Sequence, residues 1–200
     1  MTFVLATQNP KKQAELSAIL SALGVETVTE DAVGARVAVE ETGATFAENA
    51  ALKADAVLRA TGLPAIADDS GLCVDAMNGA PGVYSARYGG EDMDDAGRCR
   101  LVLEAMVGQT DRRAHFETAI CCAFPNGDHV TASGACHGTI AFAPRGEGGF
   151  GYDPIFFFTE KRKTFAQLTS EEKAAVSHRG NALRAFREKL ADYLSKQAEA

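Results

Sequence analysis

Two hundred residues, 46% hydrophobic and 24% charged, describe an ordinary globular chain that can bury roughly 70% of its unfolded surface. A net charge of −7 argues against a protein that coats nucleic acid, and no apolar run nears the ~18 residues of a membrane span. The cysteines (Cys73, Cys99, Cys121, Cys122, Cys136) are odd in number and lack a C-x-x-C pair, against a disulfide framework or a zinc site and for a reducing cytosol.

Residues 2–7 read as a first strand, with neither the basic leader nor the long apolar region of a signal peptide. The polar turn Gln8-Asn9-Pro10 leads to a helix from near Lys11, with Ala14, Leu16, Ile19, Leu20 and Leu23 on its apolar face and Gly24 closing it. Residues 25–39 hold two short strand candidates. A second helix is predicted over about 45–60, ended by Gly62-Leu63-Pro64. The apolar strand 64–67 then runs into Asp68-Asp69-Ser70-Gly71, read as the polar loop at its end. Residues 78–90, rich in glycine and proline, form a surface loop before a helix over 92–107. Segments 113–124 and 129–141 pair across Asn126-Gly127 as a long hairpin expected to project as a lobe. A second glycine-rich loop, 146–153, precedes a strand over 154–158. Thr169 and Glu172 form a capping box for a short helix, and an amphipathic helix follows Gly180 to about Ser195. Alternating strands and helices give an α/β protein whose hairpin makes the sheet mixed.

Four segments carry chemistry. Adjacent carboxylates at Asp68 and Asp69 raise one another's pKa or attract a cation, and a divalent metal resolves that; a solvated turn capped by Ser70 is the other reading. Thr7-Gln8-Asn9-Pro10-Lys11-Lys12 sits between a strand end and a helix start, where phosphate binds, although it lacks the glycines of a P-loop. The same residues also fit an Asn helix cap followed by solvated lysines. Glu40-Glu41 precedes the helix carrying Asn49 and Lys53, which share one face four residues apart. Phe150-Gly151-Tyr152-Asp153 offers a stacking surface and an acceptor to a base, or simply a turn before a strand. Lys173, His178 and Arg179 do not share a helix face, but a break at Ser177 turns all three into one pocket.

Together the stretches LATQNPKK (5–12), ETGATFAENAALKA (41–54), AIADDSGLCVDAMNGAPGVYSARYGGED (65–92), GGFGYDPIFF (148–157) and LTSEEKAAVSHRGNAL (168–183) resemble the non-canonical purine nucleoside triphosphate pyrophosphatases, the inosine triphosphatase or dITP/XTP pyrophosphatase family. The resemblance implies a mixed elongated central sheet with flanking helices and two lobes around an active-site cleft, and a cytoplasmic homodimer forming a single catalytic domain over 1–200. It implies Mg²⁺-dependent hydrolysis of inosine, deoxyinosine and xanthosine triphosphates to the monophosphate and pyrophosphate, with neither nucleic acid nor membrane as partner. Carried over by position, Asp69 is the general base with Asp68 assisting, and Glu40 and Asp69 hold the metal. Thr7, Gln8, Asn9, Pro10, Lys11, Lys12, Lys53, Ser70 and Arg87 face the phosphates. Phe150, Gly151, Tyr152, Asp153, Lys173, His178 and Arg179 face the base. One departure stands out: many relatives read T-G-N-x-G-K in the first loop, whereas Gln8 and Lys11 fill the glycine places here.

Overall fold

In the computed structural model, which describes residues 2–198 without the side chains of Lys11 and Glu15, seven strands make one mixed sheet in the order β2-β1-β3-β4-β5-β6-β7. The strands are β1 (Thr2–Leu5), β2 (Glu26–Thr29), β3 (Ala65–Val74), β4 (Arg113–Ala123), β5 (His129–Ile140), β6 (Phe156–Phe158) and β7 (Lys163–Thr164). The helices are α1 (Pro10–Ser21), α2 (Phe46–Thr61), α3 (Asp95–Ala105), α4 (Ser170–Val176) and α5 (His178–Ala198). β1 runs parallel to β2 and β3, while β6 is antiparallel to β5 and β7. No described helix is long and apolar enough to cross a membrane.

Local chemistry explains most boundaries. Pro10 opens α1 at the position where a missing N–H costs nothing. Thr45 and Glu48 cap α2 reciprocally, and Gly62 ends it in the left-handed region at φ 69°. The turn between β4 and β5 closes with Phe124 N–H on the Asp128 carbonyl, as the Asn126-Gly127 pair predicts. Thr169 and Glu172 cap α4, and the extended Ser177 separates it from α5, the break expected there.

Three expectations change. Of the two strands predicted in 25–39, only β2 forms; a short 3₁₀ turn, Asp31–Val33, follows and ends on a left-handed Gly34. Asp68 to Gly71 are not a loop, because β3 runs straight through them to Val74. The long hairpin is not a lobe of its own. Its turn half belongs to one compact unit (Met1–Asp69, Thr118–Gly134, Ala182–Ala200) and its outer half to another (Ser70–Glu117, Ala135–Asn181).

Each unit has its own core. In the first, Phe3, Leu5, Leu16, Leu20, Ile66, Ile120, Phe186 and Leu190 pack β1, β3 and β4 against α1 and α5. In the second, Leu72, Val74, Val102, Phe116, Ile155, Phe156 and Phe165 pack the far ends of β3 and β4 against α3 and β6. Ring pairs at 4.7–4.8 Å join Phe116, Phe156 and Phe165.

Candidate functional site

In the first unit the chemistry gathers on β3. Side chains alternate across a strand, so neighbouring carboxylates point to opposite faces of the sheet. Asp68 shares the α1 side with Ile66 and ion-pairs with Lys12 Nζ at 2.7 Å. Asp69 turns to α2, where Asn49 Nδ2 donates to its Oδ2 at 3.1 Å and Lys53 Nζ lies 3.5 Å from its Oδ1. The two acids therefore do not crowd one another as side-by-side loop residues would; each has its own lysine. Their burial makes those lysines matter, since Asp68 and Asp69 are only 3% and 8% exposed.

Around Asp69 the charges are mixed. Lys53 donates a second, shorter bond to Glu41 Oε1 at 2.7 Å. Burial raises the Asp69 pKa, Lys53 pulls it back, and the Glu41 charge pushes it up again. Burial draws the Lys53 pKa down, but Asp69 and Glu41 more than offset this and hold it above its ordinary value. Asn49 is fixed from behind, its Oδ1 accepting the Gly43 N–H at 2.8 Å. A Cβ at Gly43 would come within 2.7 Å of that same oxygen, so only glycine fits there.

The first loop is knitted together by its own side chains. Asn9 N–H donates to Thr7 Oγ1 at 3.3 Å, Lys12 N–H to Asn9 Oδ1 at 3.4 Å, and Gln13 Nε2 to the Thr7 carbonyl at 2.8 Å. Asn9 is thus the cap of α1, and Gln8 and Pro10 are exposed. The Lys11 side chain lies outside the described residues.

In the second unit a ring and a carboxylate anchor the cluster. Asp153 Oδ2 accepts from Phe150 N–H at 2.9 Å and from Lys173 Nζ. Lys173 Nζ sits 4.6 Å from the centre of the Phe150 ring and Arg179 Cζ 5.5 Å from it. Arg179 Nη2 reaches Ser70 Oγ at 3.5 Å. Gly149 has φ 75° and packs so closely on Asp153 that a Cβ would collide with its carboxylate. Asp95 Oδ2 accepts the Gly151 N–H at 2.7 Å, and the Cys99 thiol donates to the Gly151 carbonyl at 3.4 Å.

Other expected residues have contacts of their own. Glu40 is exposed, and Glu41 is the member of the acidic pair that meets Lys53. The Tyr152 ring belongs to the hydrophobic core, its hydroxyl donating to the Ser85 carbonyl at 2.8 Å, so its side chain anchors the loop from below. His178 stacks on Phe116 with ring centres 4.7 Å apart. Arg87 closes the 3₁₀ turn Gly82–Arg87 with its guanidinium 5.0 Å from the Tyr84 ring centre. Sequence reasoning missed Glu41, Asn49, Asp95 and Cys99 as supports. For Asn49 a signal existed in its spacing from Lys53; for Asp95 and Cys99, bonded to a residue more than fifty positions away, none did.

Comparison with known proteins places the chain. The chain is 45% identical to the dITP/XTP pyrophosphatase of an Exiguobacterium species, over 97% of this chain and 99% of that one. It is 51% identical to the Thermus thermophilus protein of the same name, over 96% and 93%. The Coxiella burnetii HAM1 structure superposes with a TM-score of 0.90 at 42% identity, covering 98% of this chain and 99% of that one. The Staphylococcus aureus Ham1 structure gives 0.89 at 39%, covering 98% and 100%. The Ham1 family profile matches residues 3–189, and with agreement across nearly its whole length the chain belongs to the Ham1 family.

Proposed function

We propose that this protein hydrolyses non-canonical purine nucleoside triphosphates, those of inosine, deoxyinosine and xanthosine, to the monophosphate and pyrophosphate. The observation that carries the reading is Asp69. It is a buried carboxylate with a raised pKa, held by Asn49 and Lys53 in a chain whose relatives bear the name dITP/XTP pyrophosphatase.

Asp69 takes the proton of the attacking water, a contribution of roughly 10²–10⁴ in rate. Asn49 and Lys53 fix its two oxygens, which keeps the carboxylate aimed without reorganisation. Asp68, on the other face of β3, holds Lys12 in place and assists through that lysine rather than by sharing a proton. Lys12 and Lys53 meet phosphate oxygens, with the Thr7–Lys12 loop around them. Positioning and charge stabilisation supply most of the remaining acceleration in phosphoryl chemistry.

A divalent ion fits this donor set. Asp69 and Glu41 are carboxylates sharing one lysine, and the charge of Glu41 disfavours ionised Asp69 unless a further cation is near. Asp69 with the Glu40–Glu41 pair would hold Mg²⁺, which when bound neutralises triphosphate charge and polarises the scissile phosphate. Phe150 stacks on the purine, and Lys173, His178 and Arg179 surround its edge with donors. A donor aimed at the 6-keto oxygen meets an amino group in adenine, and such an unmatched buried group costs about 1–3 kcal/mol. The same reading makes the protein a cytoplasmic homodimer that clears the nucleotide pool; its five free thiols suit a reducing compartment.

One assay tests the proposal: pyrophosphate and orthophosphate release from inosine, xanthosine and the four canonical triphosphates, with and without Mg²⁺. Pyrophosphate release with at least ~10²-fold preference in kcat/KM for inosine and xanthosine over adenosine triphosphate is expected. Orthophosphate as the product, or equal rates across the panel, would sink it.

A further inference from the structure

The second unit carries a group of donors that the nucleotide chemistry does not use. Cys73 on β3 and His115 and Glu117 on β4 place a thiol sulfur, an imidazole nitrogen and a carboxylate oxygen all within 4.8 Å of one another. β3 and β4 are neighbours in the sheet, and residues 115 and 117 share a face by the strand period. That face is opposite the core, which takes Leu72, Val74, Ala114 and Phe116. His115 Nε2 and Glu117 Oε2 are 3.9 Å apart, and the His137 ring of β5 lies beside His115 with centres 5.4 Å apart.

We propose that Cys73, His115 and Glu117 bind a zinc-class transition-metal ion, leaving one coordination position to water. Sulfur, imidazole and carboxylate together suit Zn²⁺, whereas Mg²⁺ and Ca²⁺ take oxygen alone. A tetrahedral ion with bonds of about 2.0–2.3 Å holds its donors about 3.4–3.6 Å apart, so these three, within 4.8 Å of one another, must draw in by up to about 1 Å. Glu117 and Asp75 both place negative charge near the sulfur, which favours a cation there. On binding, the thiol proton leaves to solvent and the sulfur takes its place on the metal. The adjacent cation, Arg113, is already engaged, at 2.7 Å from Asp111 and 3.5 Å from Asp75. The absence of C-x-x-C spacing argued against zinc only for donors close in sequence; here two strands bring together residues more than forty positions apart. The ion would staple β3 to β4 and stabilise the fold by mass action. None of its ligands is among the residues assigned to the nucleotide.

The test is a Co²⁺ titration of the metal-stripped full-length protein in excess Mg²⁺, which occupies carboxylate-only sites. A near-ultraviolet sulfur-to-cobalt charge-transfer band saturating at one ion per chain, and displaced by Zn²⁺, is expected. Cys73→Ala should abolish the band, and His115→Gln and Glu117→Gln should each weaken binding by about tenfold or more. Zn²⁺ should raise the unfolding temperature of the parent and not of Cys73→Ala. Absence of the band, its survival in Cys73→Ala, or unchanged affinity in both half-exposed variants would overturn the site. Those two variants keep the test decisive should Cys73→Ala fold poorly.

Discussion

A carboxylate that is 8% exposed must be held ionised by its neighbours, and around Asp69 that task falls to Lys53 and Asn49 against burial and the charge of Glu41. The net result is a raised pKa, which fixes the sign of its effect on stability. The folded state binds the Asp69 proton more tightly than the unfolded chain, whose value is near 3.8, so stability falls as pH rises through the window above 3.8. Asp69→Asn removes that penalty. It should match or exceed the parent's melting temperature at pH 7 while turnover drops by at least ~10²; a thermal melt and one rate measurement check both. Asp68 has a closer lysine, Lys12 at 2.7 Å. Lys12→Ala strips a buried acid of its lysine and should cost about 3–5 kcal/mol in denaturant unfolding, as well as raising KM. Lys12→Met combined with Asp68→Asn should recover most of the stability but not the KM, which separates the scaffold role from phosphate binding.

Elements decide which residues can meet, and here the sequence was only partly readable. The capping box at Thr169, the Asn126-Gly127 turn and the helical spacing of Asn49 and Lys53 are local signals, and each is realised. The path of β3 was not local. Two acids and a glycine look like a loop until lysines from α1 and α2 neutralise them and Leu72 and Val74 return to the core. Which of Glu40 and Glu41 meets Lys53 depended likewise on how the irregular chain after β2 approaches α2. Glycines give a clean test at this scale. Gly43→Ala pushes against Asn49 Oδ1, so it should cost about 1–3 kcal/mol and also lower kcat, because Asn49 holds Asp69. Gly62→Ala meets nothing within 4 Å but strains a left-handed helix cap. It should cost about 1 kcal/mol and leave kcat unchanged.

At the scale of the molecule, the chain visits its two cores in turn. The first unit is assembled from three separated segments and the second from two, with β3, β4 and β5 each continuing from one unit into the other. Neither core can be completed by a contiguous piece of chain. Heat or urea should therefore produce one transition, coincident by far-ultraviolet circular dichroism and tyrosine fluorescence; two resolved transitions would show that the cores melt independently. The alternation along β3 has a further consequence, for heredity. Point substitution can retune either face of that strand one residue at a time, since each side chain answers to its own helix. A single codon inserted between Ala67 and Leu72 would do something else. It would send the downstream residues to the wrong faces at once, exchanging the carboxylates between their lysines or turning Leu72 and Val74 out of the core. In descendants of this gene, a change in the length of β3 should be rarer than a change in its spelling.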